Sequence, residues 1–281
     1  MSSSLNMAVF LLTTTGYYMG IKPYLTLDIL IDPDKYKSFV SNSYTYLALY
    51  LMAILVTQYF INVYLVTDKC GGDITDNLGI TVLITFLPWT LMFGLVVAVL
   101  MLYPGFKSAF SDVIGYFYVA SSANSVLSDL LIDKDVQDQM SKDVNATPQQ
   151  KEAMQDVAGT IIKIAGNASI LINQIVPENF INYWKLLNPL MKTKYQLETA
   201  ETDAIKKKLF DLVVTRDNVG EILWFIYTGL LVTSLIQLNM STQACKSNPA
   251  TMQKKYQDYL DSENKTKANN EKSTSQVYTM S

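Results

Sequence analysis

Long uncharged stretches constrain this chain more strongly than any other feature of its sequence. Three of them contain no Asp, Glu, Lys or Arg and have about the length of a bilayer crossing: 44–66, 77–106 and 222–240. A helix needs about 20 mostly apolar residues to cross a hydrocarbon core of about 30 Å, and every backbone polar group must be bonded within the segment. The sequence therefore predicts an all-α, multi-pass membrane protein.

The residues before the third stretch suit the start of a helix. Asp217, Asn218 and Glu221 offer side chains that cap a helix N-terminus and complement its dipole. We therefore predict the third transmembrane helix at 218–240.

The first two apolar stretches contain residues that indicate how each would lie in a membrane. Pro88 lies inside 77–106 and predicts a kink there, because the proline ring removes one backbone hydrogen bond. That stretch is also longer than one crossing requires, which predicts tilt or an interfacial turn. Tyrosines, whose rings favour the headgroup region, cluster towards the ends of 44–66: Tyr44, Tyr46, Tyr59 and Tyr64.

The N-terminal segment, 1–43, holds a further apolar stretch at 5–21. This stretch is uncharged, but it is short and is interrupted by Thr13, Thr14, Thr15 and Gly16. Two alternatives follow: a protein with three spans, or one with four in which 5–21 is the first.

The number of crossings fixes which loops share a face of the membrane. With either number of spans, the short loop 67–76 and the tail 241–281 lie on one face, and the segment 107–217 lies on the other. Lys and Arg number three before Tyr44, one in the short loop, twelve in the central segment and six in the tail. The positive-inside rule therefore places the central segment on the cytoplasmic side.

The central segment 107–217 predicts a small helical domain outside the membrane. Apolar residues recur at helical spacing between Val113 and Leu131. A second helix begins at the Thr147–Pro148 cap and ends at Pro177, and a third runs over about 196–215. A short aromatic stretch, 180–187, lies between these two helices. The tail 241–281 is rich in Lys, Asn, Ser and Thr, which predicts a polar, flexible segment.

The composition excludes much of enzyme chemistry. The chain has no histidine and two cysteines, so imidazole bases, histidine-ligated metals and four-thiolate metal sites are excluded. A net charge of −3 supplies no basic field for nucleic acid. No catalytic motif is recognisable among the remaining residues. We therefore predict a non-enzymatic protein without cofactor, metal or specific nucleic-acid partner.

The two cysteines follow apolar stretches whose ends share a face. Cys70 lies just after 44–66, and Cys245 lies just after 218–240. Two alternatives are open for them: a disulfide that closes a long loop, or two free thiols.

A motif follows the second stretch, in the run LYPGFKSAFSDVIGY from Leu102 to Tyr116. It resembles a segment of the membrane-embedded virion proteins of nucleocytoplasmic large DNA viruses, in which Pro-Gly-aromatic is followed by Pro-Phe-Ser-Asn and Phe-Gly-Tyr. Ala109, Asp112 and Ile114 depart from that pattern. Six residues match it at its spacing: Pro104, Gly105, Phe110, Ser111, Gly115 and Tyr116.

The resemblance covers about 15 residues and implies a structural protein of an icosahedral virion. Such a protein would be a minor capsid component that anchors the capsid shell to an internal lipid membrane derived from host membranes. Its partners would be the bilayer, other capsid proteins and further copies of itself. The rival hypothesis is a small oligomeric channel or transporter. We predict these residues as partner contacts: Phe106, Phe110, Tyr116, Tyr183 and Trp184. For Tyr183 and Trp184 the alternative is burial inside the central domain.

Overall fold

A computed structural model describes residues 3–71, 73–131, 168–242, 245 and 249–274. Over these residues the chain consists of helices joined by short connecting segments, with one isolated antiparallel bridge between Leu131 and Met191 and no strand, so the all-α prediction is confirmed there. The α-helices are α1 (Ser3–Gly16), α2 (Leu27–Ile31), α3 (Pro33–Cys70), α4 (Ile74–Pro88), α5 (Gly94–Leu102), α6 (Ser108–Phe110), α7 (Tyr116–Leu130), α8 (Phe180–Leu187), α9 (Ala200–Thr242) and α10 (Pro249–Thr274). Short π-helices cover Tyr17–Ile21, Trp89–Phe93 and Ser111–Gly115. Short 3-10 helices cover Pro104–Lys107, Ala168–Gln174, Pro177–Asn179, Asn188–Leu190 and Thr193–Tyr195.

Three helices are long and apolar enough to cross a membrane: Pro33–Cys70, Ile74–Leu102 and Ala200–Thr242. They contain nearly all of the three stretches that the sequence singles out, which confirms that prediction at the level of length and composition. The second helix ends at Leu102 rather than at 106, because Tyr103 leaves the helical conformation ahead of Pro104.

The helix α3 begins well before the predicted start at residue 44. Pro33 occupies the first turn, and the Asp32 side chain accepts hydrogen bonds from the backbone N–H groups of Asp34 and Lys35. An N-cap carboxylate followed by proline is a strong helix start. The predicted N-terminal segment 1–43 therefore contains the first turns of the long helix.

The first apolar stretch is a helix that lies in the same bundle. Helix α1 packs against α3 and α9, and its Phe10 side chain is fully buried. Asn6 Nδ2 donates to Asn62 Oδ1 over 2.7 Å, and the Thr14 and Tyr50 hydroxyl oxygens lie 2.8 Å apart. Asn6 and Thr14 therefore face the neighbouring helix α3.

Pro88 changes the register of its helix. The π-helix Trp89–Phe93 starts directly after the proline and joins α4 to α5. There the Gly94 N–H bonds to the Trp89 carbonyl, five residues back, so the backbone bonding shifts by one residue directly after the proline.

Helix α9 is continuous across the predicted boundary at residue 217. The sequence places one helix at 196–215 and another at 218–240, with a cap between them, and this prediction is wrong. Asp217 and Glu221 lie in the middle of a 43-residue helix. Their side chains pair with lysines from other parts of the chain, so they do not cap a helix end.

The described parts of the central segment form a separate hydrophobic core. Helix α7, the short helices of 168–195 and the first half of α9 pack together around this core, whose fully buried residues include Leu127, Leu130, Ile172, Phe180, Leu209 and Phe210. Most of the predicted second helix lies outside the described residues. Its described end, Ala168–Gln174, is a 3-10 helix rather than an α-helix.

The polar tail contains a long helix. We predict a flexible segment at 241–281, whereas Pro249–Thr274 is helical. Proline at the first position suits a helix start, and a Glu263–Lys267 pair at i, i+4 spans 2.8 Å.

Two glycines let the segment after α5 approach α9 closely. A Cβ atom on Gly220 would lie 2.7 Å from Ser111 Cβ and 3.0 Å from the Lys107 carbonyl oxygen. A Cβ on Gly115 would lie 2.5 Å from the Arg216 carbonyl oxygen. Side chains at these positions would force the two backbones apart.

We predict that Gly220→Ala destabilises the protein by about 2 kcal/mol, because overpacking against backbone atoms cannot be relieved by a side-chain rotation. The measurement is the unfolding temperature of the purified protein in detergent, followed by tryptophan fluorescence. Gly16→Ala is the control, since a Cβ there has no neighbour within 4 Å. An equal unfolding temperature for the two variants would contradict the close packing.

Candidate functional site

The ends of the apolar segments meet at one level of the bundle. Lys22 follows the stretch 5–21, Lys107 follows 77–106, and Asp217 precedes 218–240. The chain thus places a charged residue beside the end of each of these segments. Lys22, Lys107, Asp217, Asn218 and Glu221 come into contact there, and we call them the junction cluster.

Glu221 is the centre of the junction cluster. Its Oε1 lies 2.5 Å from Lys22 Nζ, and its Oε2 lies 2.9 Å from Lys107 Nζ. Lys107 Nζ also donates to Asp217 Oδ2 over 3.0 Å, and Lys22 Nζ donates to Asn218 Oδ1 over 2.7 Å. The Tyr18 hydroxyl donates to Glu221 Oε1 over 2.8 Å.

The cluster is shielded from water. The four ionised side chains are between 13% and 17% exposed. Burial alone disfavours the ammonium of Lys107, but the adjacent Glu221 and Asp217 outweigh it and raise the pKa of Lys107 above its ordinary value. Lys22 has less compensation, and burial lowers its pKa. Two lysines and two carboxylates make the cluster neutral as a whole.

The cluster fixes the relative positions of separate chain segments. Removing one partner from a buried ion pair leaves an uncompensated charge, which is costly. Moving either lysine away from Glu221 would leave that buried carboxylate with one partner fewer. Among the described residues no group of three His, Cys, Asp or Glu side chains could hold a metal ion. The arrangement is suited to holding helices together.

The motif residues that resemble viral proteins pack on α9. Phe110 meets Trp224 edge-on at a centroid distance of 5.0 Å, and Ser111 is fully buried. Trp224 Nε1 donates to the Phe106 carbonyl oxygen over 2.9 Å, while the Phe106 side chain is exposed. The Tyr116 hydroxyl lies 2.7 Å from Ser169 Oγ. Phe110 and Tyr116 thus make internal contacts, and their role towards a partner stays a prediction.

Tyr183 and Trp184 lie on helix α8 and are partly buried against the core of the central domain. The Trp184 ring stacks near Phe180 at 6.2 Å, and Lys206 Nζ lies 5.5 Å above it. These contacts correspond to the alternative of burial within the domain. The remaining exposed edges leave the partner prediction untested.

The structure joins Cys70 and Cys245 in a disulfide, with sulfurs 2.08 Å apart and Cα atoms 5.3 Å apart. Beside it, Lys69 Nζ donates to the backbone carbonyls of Met240 and Ser241. The lysine links the end of α3 to the end of α9, and the disulfide links α3 to Cys245, which follows α9 by three residues. The bundle is therefore fastened at the end opposite the junction cluster.

A second polar network crosses the interior of the bundle. Asn62 accepts from Asn6 and donates to Thr85 Oγ1 over 2.9 Å, and Gln58 Nε2 donates to the Asn6 carbonyl oxygen over 3.0 Å. All four side chains are fully buried. Sequence reasoning missed this network, because the positions of single Asn and Gln residues in apolar stretches do not indicate which residues they bond to.

Sequence reasoning also missed the junction cluster, although a signal was available. Lys22 and Lys107 each follow directly after an apolar stretch, and Asp217 and Glu221 lie at the start of another. Parity places these flanks on one face when the chain crosses the membrane four times. Charges of opposite sign at one end of a bundle are candidates for pairing.

Comparison of the chain with protein-family models, with curated proteins and with solved structures finds no match.

We predict that the two cysteines of the purified protein resist alkylation until a reductant is added. The chain has two cysteines, so the intact mass measured after iodoacetamide treatment reports their state directly. Without reductant the mass should be unchanged, and with reductant it should rise by two adducts. Two adducts under non-reducing, denaturing conditions would contradict the disulfide.

We predict that Glu221→Gln destabilises the protein by about 3–5 kcal/mol, because two buried lysines lose their shared carboxylate. Chemical unfolding in mixed micelles measures this change. The control is Glu263→Gln, which removes an exposed pair on α10 and should change stability little. An effect of Glu221→Gln as small as that of the control would contradict the structural role of the cluster.

Proposed function

We propose that the chain is a non-enzymatic, multi-pass membrane anchor that ties a protein shell to a bilayer. More specifically, we propose that it is a minor capsid protein of a large icosahedral DNA virus and lies in the internal membrane of the virion. The continuity of α9 carries the proposal. One helix of 43 residues is part of both the domain core and the apolar bundle.

A continuous helix suits an anchor because it transmits force between its two halves. Leu209 and Phe210 are buried in the domain core, whereas Phe225 and Val232 are buried in the bundle. At 1.5 Å per residue, the helix is about 65 Å long. A load applied to the domain thus reaches the bundle along a hydrogen-bonded backbone.

The two fastenings of the bundle support the same role. The junction cluster holds α9 to the segments that carry Lys22 and Lys107, and the disulfide holds Cys245, just after α9, to α3. Pulling one helix out of the bundle would require breaking buried ion pairs or a covalent bond. We further propose that α1 crosses the bilayer with the three longer helices, which gives four spans.

The viral assignment is supported by the resemblance between Leu102 and Tyr116. The structure gives this motif a physical role: Pro104 follows the end of the apolar helix, and Ser111 and Gly115 pack the returning chain on α9. The motif turns the chain from the apolar bundle into the helical domain. A minor capsid protein needs such a turn. Because its copies would occupy fixed positions in the capsid lattice, many weak contacts would together give firm attachment.

The polar network inside the bundle supports the rival proposal of a small oligomeric channel or transporter. Buried Asn, Gln and Thr side chains could line a polar path. In this chain, however, Asn6, Asn62 and Thr85 bond to one another and link three helices. Such bonds are typical of helix association within a membrane. The anchor therefore accounts for them more directly.

The test is cross-linking mass spectrometry of the native membrane assembly with an amine-reactive reagent. Lys185 and Lys208 are exposed on the helical domain, and Lys254 and Lys265 are exposed on the tail helix. If the protein is such an anchor, we expect cross-links from the domain lysines to shell proteins. Cross-links from the tail lysines should then join molecules other than shell proteins. The same protein alone in lipid nanodiscs is the control for links within the chain.

Links confined to the chain or to identical copies would contradict the anchor. Ion flux into liposomes that contain the purified protein, lost on Asn62→Leu, would then favour the channel.

A further inference from the structure

A cavity of about 210 Å³ lies beside the junction cluster. Residues from both ends of the apolar stretches line it, among them Tyr44 and Pro104. Tyr44 and Met101, which line it, are also exposed on the surface of the bundle. Because the flanks of apolar helices lie at the level of lipid headgroups, the cavity is placed where a headgroup could enter from the bilayer.

Aromatic rings form part of the cavity lining. Tyr17, Tyr36, Phe39 and Tyr44 all line it, and the Tyr36 and Phe39 rings stack at a centroid distance of 6.4 Å. Glu178 also lines this cavity. Aromatic faces together with a carboxylate are the surroundings that favour a quaternary ammonium group.

Hydrogen-bond donors line the same cavity. Lys107 uses two protons on Asp217 and Glu221, and an ammonium has three. The Ser43 hydroxyl oxygen lines the same cavity, is buried, and has no hydrogen-bond partner among the described residues. A buried hydroxyl without a partner is unusual and points to a ligand that accepts its proton. The oxygens of a phosphate group would serve both donors.

The charge of the lining decides between classes of headgroup. Lys22 and Lys107 face three carboxylates, those of Glu178, Asp217 and Glu221, so the formal charge is −1. An anionic headgroup would meet net repulsion, whereas a zwitterionic headgroup can place its cation by the rings and its phosphate by the donors. Apolar residues Leu47, Val97 and Leu100 continue the lining and suit the start of an acyl chain.

We propose that this cavity binds the headgroup of a phosphatidylcholine molecule from the surrounding bilayer. The trimethylammonium group lies among Tyr36, Tyr44 and Glu178, and the phosphate accepts hydrogen bonds from Ser43 and Lys107. The bound lipid fills the space between α3 and the junction cluster. This inference relies on the membrane location proposed above, but it does not depend on any shell partner.

The experiment measures which lipid stays with the full-length protein after purification. The protein is incubated in detergent with equal amounts of phosphatidylcholine and phosphatidylglycerol of the same acyl chains, washed, and analysed by native mass spectrometry. We expect about one retained phosphatidylcholine per chain and at least fivefold less phosphatidylglycerol. Equal retention of the two lipids, preference for phosphatidylglycerol, or no retained lipid would overturn the proposal.

Variants separate a specific site from general lipid binding. Tyr36→Leu keeps an apolar side chain but removes the ring, and we expect about tenfold lower retention of phosphatidylcholine. Tyr36→Phe keeps the ring and should retain the lipid, which guards against loss through misfolding. Ser43→Ala should lower retention severalfold. Tyr256→Leu, on the exposed face of α10, is the matched control and should have no effect.

The assignment would be overturned if Tyr36→Leu left phosphatidylcholine retention unchanged, or if Tyr256→Leu lowered it equally. Either result would mean that the lipid binds elsewhere. Because the readout is lipid mass, this test can succeed when the search for shell cross-links fails, and the reverse also holds.

Discussion

The rest of the structure depends on the ion pairs that the Glu221 carboxylate makes with two lysines. Glu221 binds Lys22 and Lys107, which follow two different apolar segments, and it lies on the helix that forms a third. A buried carboxylate is tolerable only with such partners, and a buried lysine has the same requirement. The pairing therefore selects one arrangement of the bundle at this end. The Cys70–Cys245 disulfide fixes the opposite end.

This constraint connects the bundle to the domain outside it. Because the paired carboxylates lie in the middle of α9, the helix passes through the cluster without a break. The returning segment lies on the same helix through Ser111 and Gly220, where the backbones almost touch. Domain and bundle thus share one helix, and the returning segment packs closely on it. That architecture is consistent with the tether between shell and bilayer that we propose, and the proposed headgroup site lies where domain and bundle meet.

Hydropathy alone was sufficient to predict the all-α class and the three long apolar helices, since those depend on local composition. It was not sufficient for contacts between distant residues: Lys107 and Asp217 are separated by 110 positions. The acidic residues before 222–240 were misread as a cap, because a helix start and a paired site in mid-helix use the same residue types. The tail helix Pro249–Thr274 was missed because its polar composition is common to exposed helices and flexible segments.

The most direct test of the central claim is hydrogen–deuterium exchange of α9 in lipid nanodiscs. If one helix passes through the junction cluster, amides of residues 215–222 lack fraying ends and should exchange as slowly as those of 225–235. Fast exchange confined to 215–222, between two protected segments, would show two helices joined by a hinge. That result would contradict both the continuous tether and the role given to Glu221.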